Sequence, residues 1–440
     1  MILFLILIIF IVIIVMGIKY PYVGLVIWGI LGSDYDAAGV VGFFSSYFKY
    51  YDFFMKIILI VIFIVSIWRY IKLKKNLFDK YILLAIVLIF WIIASFVIVA
   101  MSSNIIIFPN ILYPIINFSP LIMLVWILNY EVYSRKRKKM INYIIIYVYL
   151  QIILAFLIVY LPEIDIHVLN KFSGANYISD GYIYNKNIFY LTDIIKLLKN
   201  KYLFNGLGQF HNSNDMGFYG VVGIVCSIYV IRRGNIYKKI ISILILFFSI
   251  FLWGNSGMRG PVIGVFIGLI IYIMYLKKNI KFILNASIGS IIILFLALKY
   301  NEILNRLQVY LIPDKDNISF ISRRTLRLEG IKYIVKNPII GAGGMLGKLT
   351  IKGIDPHELP LRIGCLFGIP ASIMIIYLIY IFPILKFIKI KNKEILSILF
   401  YSIIVMVSLT NNYTDICLFW FLFSEVICNF QKRKKIWRVS

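Results

Sequence analysis

Apolar stretches long enough to cross a bilayer recur from one end of the chain to the other, separated by short connections. Inside hydrocarbon every backbone N–H and C=O must be paired within the protein, so such stretches form helices or close into barrels. A barrel strand alternates apolar and polar residues over about ten positions, and no such alternation is present here. Hydrophobic residues make up 62% of the chain, well above the roughly 45–50% of soluble domains. The expected fold is an all-α polytopic membrane protein, with residues 1–440 forming one integral membrane domain. Candidate spans are 2–17, 20–33, 55–71, 81–101, 112–133, 141–162, 214–231, 240–254, 260–276, 282–299, 364–388, 395–411 and 415–431. The first and last pairs are short, so about 11–13 crossings are expected. The opening segment ILFLILIIFIVIIVMG has no basic residue before it and no small-residue cleavage site after it. It is expected as a retained helix rather than a cleaved signal peptide.

A net charge of +27 invites a nucleic-acid reading, and the placement of the charge argues against one. Basic runs fill the connections: KLKK at 72–75, RKRKK at 135–139, RRGNIYKK at 232–239, KKNIK at 277–281, KFIKIKNK at 386–393 and QKRKKIWR at 431–438. This is the positive-inside pattern, so those connections are expected to be cytoplasmic. From residue 55 onward basic and non-basic loops alternate, so 163–213, 254–260 and 299–363 are expected outside. No partner nucleic acid is expected. The four cysteines fall in or beside apolar segments without CxxC spacing, and the three histidines are dispersed, with no HxH or HExxH. Neither a disulfide framework nor a metal site is suggested.

The outer loop 299–363, before the third-last span, carries 11 Lys/Arg against 6 Asp/Glu on the face where basic residues are not expected. Segment 322–337 predicts a helix, with Ser322 as N-cap, an apolar stripe at Leu328, Ile331, Ile334 and Val335, and Pro338 ending it. Arg323 and Arg327 stand four apart and share a face. Two guanidinium forks beside a membrane suit a phosphate or pyrophosphate; the same residues would also suit a helix snorkelling its arginines toward headgroups. Arg259 lies in the outer turn WGNSGMRGPVIG, with nearby glycines that let backbone approach a ligand. His357, in DPHELPLRIG, has a reference pKa of about 6.5 and suits proton transfer from a hydroxyl. His211, Asn212, Asn214 and Asp215 crowd the end of the other large outer loop, where they would bind sugar hydroxyls or cap the next helix. Within loop 163–213, LTDIIKLLKNKYLF reads as an interfacial amphipathic helix. The glycines of GAGG at 341–344 read as a flexible turn.

Four of these blocks together resemble the O-antigen ligase/polymerase superfamily of bacterial envelope glycosyltransferases. SGMRGPVIGVFIGL resembles its Ser-Gly-Ser-Arg-Gly turn and helix. SRRTLRLEGIKYIVKNPIIGAG is similar to its arginine, amphipathic helix, Asn/His-Pro and Gly-x-Gly block. HELPLRIGCLFGIP resembles its His-Asn-x-x-Leu and following glycines, and HNSNDMGFYG its Asn-Pro-Asn helix start. The similarity covers about residues 205–380, in the family's order. Three positions depart from the pattern: Glu358 stands for Asn, Ser213 for Pro, and Arg327 for a residue commonly aromatic. Register from Pro338 puts the family arginine at Arg323, with Arg324 as the neighbouring alternative.

The resemblance implies transfer of a glycan from undecaprenyl pyrophosphate to a sugar hydroxyl on the outer face of the cytoplasmic membrane, without metal, nucleotide sugar or other cofactor. Arg259 and Arg323 would hold the pyrophosphate, and His357 would orient or deprotonate the acceptor. Arg324, Arg327, His211, Asn214 and Asp215 complete the expected substrate-binding set. The leading expectation is a repeat-unit polymerase for O-antigen, capsule or a related polysaccharide, with lipid-linked donor and acceptor, the bilayer and a chain-length regulator as partners. The alternative within the superfamily is a ligase moving finished glycan to lipid A core, protein or another acceptor. A flippase or transporter would want more charge within its helices; Glu425 is the clearest such residue. A non-catalytic scaffold leaves the ordered blocks unexplained.

Overall fold

The computed structural model describes residues 2–32, 44, 45, 47–74, 80–103, 105, 107–118, 120–132, 140–160, 213–256, 258, 260–277, 318–345, 349, 354, 356–388, 394–410 and 416–431. The protein is an all-α polytopic membrane protein, with six helices long and apolar enough to span a bilayer and six shorter apolar helices among the described residues. In chain order the helices are α1 Ile2–Lys19, α2 Pro21–Leu31, α3 Tyr51–Lys74, α4 Lys80–Ser102, α5 Ile107–Asn110, α6 Leu112–Asn117, α7 Leu121–Val132 and α8 Met140–Tyr160. They continue as α9 Ser213–Arg233, α10 Ile236–Ser256, α11 Gly260–Lys277, α12 Ile318–Lys336, α13 Leu359–Ile388, α14 Ile395–Thr410 and α15 Cys417–Gln431. The expected span 282–299 lies outside the described residues, as does 163–212, where an interfacial helix is expected.

The centre of the bundle is α7 and α15, each buried on every face over most of its length. A helix apolar all round belongs inside a bundle rather than at its surface. Trp126 of α7 meets Phe421 of α15 at 5.0 Å between ring centroids, and Tyr147 of α8 meets the same ring at 4.9 Å. Polar side chains join helices within this core. Asn129 donates to Ser66 Oγ at 2.8 Å, and Tyr219 donates to Tyr147 at 3.0 Å. In lipid such bonds and close backbone contacts take over the role that hydrophobic association plays in water.

Two antiparallel pairs rest on small residues. Gly260, Gly264 and Gly268 of α11 form a GxxxGxxxG face against α14; a Cβ at Gly264 would stand 2.6 Å from Ile403 Cα, and one at Gly260 would stand 2.7 Å from Thr410 Oγ1. Gly220 and Gly223 of α9 lie against Ser249 and Trp253 of α10 in the same way. The amino ends of α9 and α11 therefore stand beside the carboxyl ends of α10 and α14.

Three expected helix boundaries are corrected. Span 112–133 is not one helix: α6 ends at Asn117 and α7 starts at Leu121. Pro120 has no N–H with which to continue α6, and its carbonyl instead opens α7 by accepting from Leu124 at 2.9 Å. Helix α12 begins at Ile318 rather than Ser322, so Ser322 is an interior residue and not an N-cap. The apolar residues Ile318, Phe320 and Ile321 extend the helix by one turn, and Pro338 lies just past its end, as expected. The third correction concerns α13, which starts five residues before the expected 364 and is broken at Gly368 (φ 83°, ψ 175°).

Candidate functional site

The break in α13 organises the surroundings of His357. Ser372 Oγ donates to the Pro360 carbonyl at 2.8 Å, whereas twelve residues of straight helix would separate them by about 18 Å. The chain therefore turns sharply at Gly368, and Leu359–Phe367 is a half-helix lying against the start of the crossing segment. Breaking a helix frees backbone groups that must be satisfied by the protein wherever water is excluded. Ala342 N–H donates to the Cys365 carbonyl at 2.9 Å, and Gly344 N–H to the Leu366 carbonyl at 3.0 Å. The indole of Trp91 in α4 donates to the Phe367 carbonyl at 2.9 Å. In return Ile369 N–H donates to the Pro338 carbonyl at 2.8 Å. GAGG is thus not a loose turn: it is bonded into the broken helix.

Glycine is required at this junction. Gly341, Gly343, Gly344 and Gly368 all have positive φ, a region that side chains with a Cβ rarely adopt. A Cβ at Gly368 would also overlap the Ile339 carbonyl.

Helix α12 packs across the half-helix and holds both neighbours of His357. Gly330 lies against Pro356 and Cys365, at 3.2 Å and 3.3 Å from where its Cβ would be. One turn earlier, Arg327 Nε donates to Glu358 Oε1 at 2.7 Å, and Nη2 reaches the same oxygen. Pro356 and Leu359 are buried, and His357 between them is exposed. Arg324, three residues before Arg327, is exposed on the same helix face. Arg323 belongs to α12; its side chain is outside the description. Burial against the half-helix, with the Cys365 thiol nearby, raises the Tyr333 phenol pKa, so Tyr333 is a neutral donor and no base candidate.

The hydropathy pattern does not mark two further cations near this centre. Arg362, in the first turn of the half-helix, sets its guanidinium 5.8 Å from the Phe118 ring centroid. Phe118 closes α6 and meets Tyr113 at 5.7 Å and Phe367 at 5.9 Å. On the other side of that aromatic pair, Lys56 Nζ stands 5.7 Å from the Tyr113 ring and 2.6 Å from Asp52 Oδ2. Ionisable residues inside membrane helices are the available signal for such a place, but a window average of hydropathy dilutes it.

A second cluster forms at the start of α9. Asn214 and Asp215 occupy its first turn, Asn214 half-buried and Asp215 buried, and a carboxylate suits the positive end of the helix dipole. Gly217 lies against Met258: a Cβ at Gly217 would stand 2.6 Å from Met258 Cβ. The turn after α10 is pinned on its near side: Met258 N–H donates to Ser256 Oγ at 3.1 Å, and Trp253 Nε1 donates to the Met258 carbonyl at 3.1 Å. Arg259 and His211 themselves lie outside the described residues, as do Asn212 and Asp355.

Both clusters stand at one end of the bundle. Gly260 abuts Thr410 at the carboxyl end of α14, and α14 runs antiparallel to α13, with Tyr380 bonded to Ser408 at 2.8 Å. The structure therefore joins His357, Arg324 and Arg327 in one group, and Asn214, Asp215 and Met258 in another. Glu425 is buried in α15 and accepts from Asn429 at 2.8 Å; it belongs to neither group. Chemically, the first group offers an exposed imidazole on a rigid support beside guanidinium donors. That suits proton transfer next to a bound anion. No protein-family model matches this chain, and no curated protein matches it.

Proposed function

We propose that this protein is a membrane glycosyltransferase that polymerises undecaprenyl-pyrophosphate-linked oligosaccharide repeat units into O-antigen, capsule or a related surface polysaccharide, on the outer face of the cytoplasmic membrane. The observation that carries this reading is the presentation of His357. It is exposed between buried Pro356 and the Arg327-bonded Glu358, and the helix that holds it also bears Arg323, Arg324 and Arg327. The resemblance of four ordered motif blocks supplies the glycan and its carrier.

In the proposed reaction an acceptor sugar hydroxyl attacks the anomeric carbon of the donor. The new glycosidic C–O bond forms as the bond from that carbon to the pyrophosphate oxygen breaks, and the electron pair leaves with the pyrophosphate. His357 takes the hydroxyl proton. Arg323 or Arg324, with Arg259, neutralises the charge developing on the leaving group. Arg327 is already bonded to Glu358, which favours a supporting part for it.

The test is reconstitution of the purified protein in vesicles supplied with lipid-linked repeat units. A ladder of longer lipid-linked glycans, with release of undecaprenyl pyrophosphate, is the expected result. Transfer only to a lipid A core or protein acceptor would replace polymerase by ligase, and absence of any transfer would overturn the reading. Labelling of a cysteine introduced at position 357 from the outer side alone is also expected; labelling only from the cytoplasm would sink the proposed topology.

A further inference from the structure

Helix α12 is too charged to count among the spanning helices, yet it shows a continuous apolar stripe on its outer face. Leu328, Ile331 and Val335 are exposed at intervals of three and four, and Ile339 continues the row beyond the helix end, Val335 at 73% and Ile339 at 61%. The opposite face is already occupied. Gly330 packs on Pro356 and Cys365, and Ile334 Cδ1 stands 2.7 Å from where a Cβ of Gly364 would be.

What covers the stripe follows from where it leads. The Pro338 carbonyl accepts from Ile369 N–H at 2.8 Å, so Ile339 sits directly against the break in α13. From there the apolar surface runs on into exposed Ile369 and Ile373 of the crossing part of α13. The crossing part belongs to a segment long and apolar enough to span a bilayer, so its exposed apolar side chains are expected to face acyl chains. Exposed Lys332 and Lys336 flank one side of the stripe and exposed Arg324 heads its row, basic groups with which a helix lying in the membrane plane would meet anionic headgroups.

We infer that α12 is an in-plane helix docked in the outer membrane interface, its stripe among acyl chains and its basic border on anionic phospholipid headgroups. Docking in this way holds Arg324 and the His357 support at headgroup depth, where a membrane-borne anion carries its phosphates. The inference concerns placement in the bilayer and does not depend on which group the site transfers.

The experiment uses the full chain in phosphatidylethanolamine–phosphatidylglycerol vesicles, with a spin label on a single introduced cysteine. Cys226, Cys365, Cys417 and Cys428 are buried, which keeps the label on the introduced residue. Collision of the label with oxygen, which partitions into lipid, is compared with collision with a water-soluble nickel chelate. Oxygen collision is expected to dominate for Leu328→Cys, Ile331→Cys and Val335→Cys, shifting toward nickel for Lys336→Cys. Nickel dominance at all four positions would overturn the inference, and so would exclusion of both reagents, which would mean that protein covers the face. Replacing phosphatidylglycerol by phosphatidylcholine is expected to shift position 328 toward nickel; an unchanged ratio would overturn the part assigned to headgroup charge. None of these readouts moves if glycan transfer is disproved.

Discussion

Arg327 of α12 donates through Nε to Glu358 at 2.7 Å, tying the arginine-bearing helix to the residue that follows His357. Both residues depart from the motif pattern that the surrounding blocks resemble, and the structure makes them each other's partners. The Arg327 side chain is 57% exposed and that of Glu358 19%, so the pair contributes at most about 1 kcal/mol to stability. Its consequence is positional.

Arg327→Glu or Glu358→Arg alone is therefore expected to slow polymer formation about tenfold, equivalent to ~1.4 kcal/mol in the barrier. The double variant R327E/E358R should recover most of the rate, with little change in thermal stability throughout. Turnover at saturating donor is the measurement; a double variant no better than either single one would refute the positional account.

The break in α13 makes an opposite forecast for two glycines. Gly368→Ala places a Cβ on the Ile339 carbonyl at φ 83°, with backbone strain alone on the order of 1–3 kcal/mol. Gly254→Ala in α10 meets nothing within 4 Å and should be neutral or stabilising by about 0.5–1 kcal/mol. Melting temperatures in detergent separate the two; equal shifts would contradict the broken-helix geometry.

Trp91→Phe keeps an aromatic side chain, though a smaller one, and removes the indole N–H that donates to the Phe367 carbonyl from α4. Leaving that carbonyl unpaired is expected to cost about 1–3 kcal/mol. The same melting assay checks it, and an unchanged midpoint would mean that another group satisfies the carbonyl.

How much of this was legible in the sequence depends on the range of the interactions involved. The all-helical class, the ends of most helices and the stop at Pro338 follow from local apolar pattern and proline chemistry. The break at Gly368 does not, because apolar residues continue on both sides of it and its partners come from 338–344 and Trp91. Gly368 and Pro370, two apart inside an expected span, were the only local hint. The GxxxGxxxG face of α11 was readable as a packing surface, but its partner α14 was not. Arg362 and Lys56 disappear in window averages, and only the three-dimensional neighbourhood of Phe118 and Tyr113 brings them near the half-helix. The meeting of Arg327 with Glu358, 31 positions apart, needed the packing of Gly330 on Pro356 to set the register.

Gly264→Leu tests that glycine face. A side chain at 264 would collide with Ile403 Cα and the Ser402 carbonyl, at 2.6 Å and 2.8 Å from the Cβ position. Overpacking of this kind typically costs about 1–3 kcal/mol. Loss of folded protein in detergent, by size-exclusion profile and melting, is expected; a wild-type profile would deny the close approach of α11 and α14.

The central claim is that His357 takes the acceptor proton at a site held by α12. Its most direct test compares wild-type protein with His357→Ala in vesicles containing lipid-linked repeat units, following chain length and released undecaprenyl pyrophosphate together. Removal of a general base is expected to lower the rate by about 10²–10⁴, leaving single repeats on their carrier while the melting temperature stays near wild type. A His357→Ala protein that makes polymer of normal length at the normal rate would contradict the account.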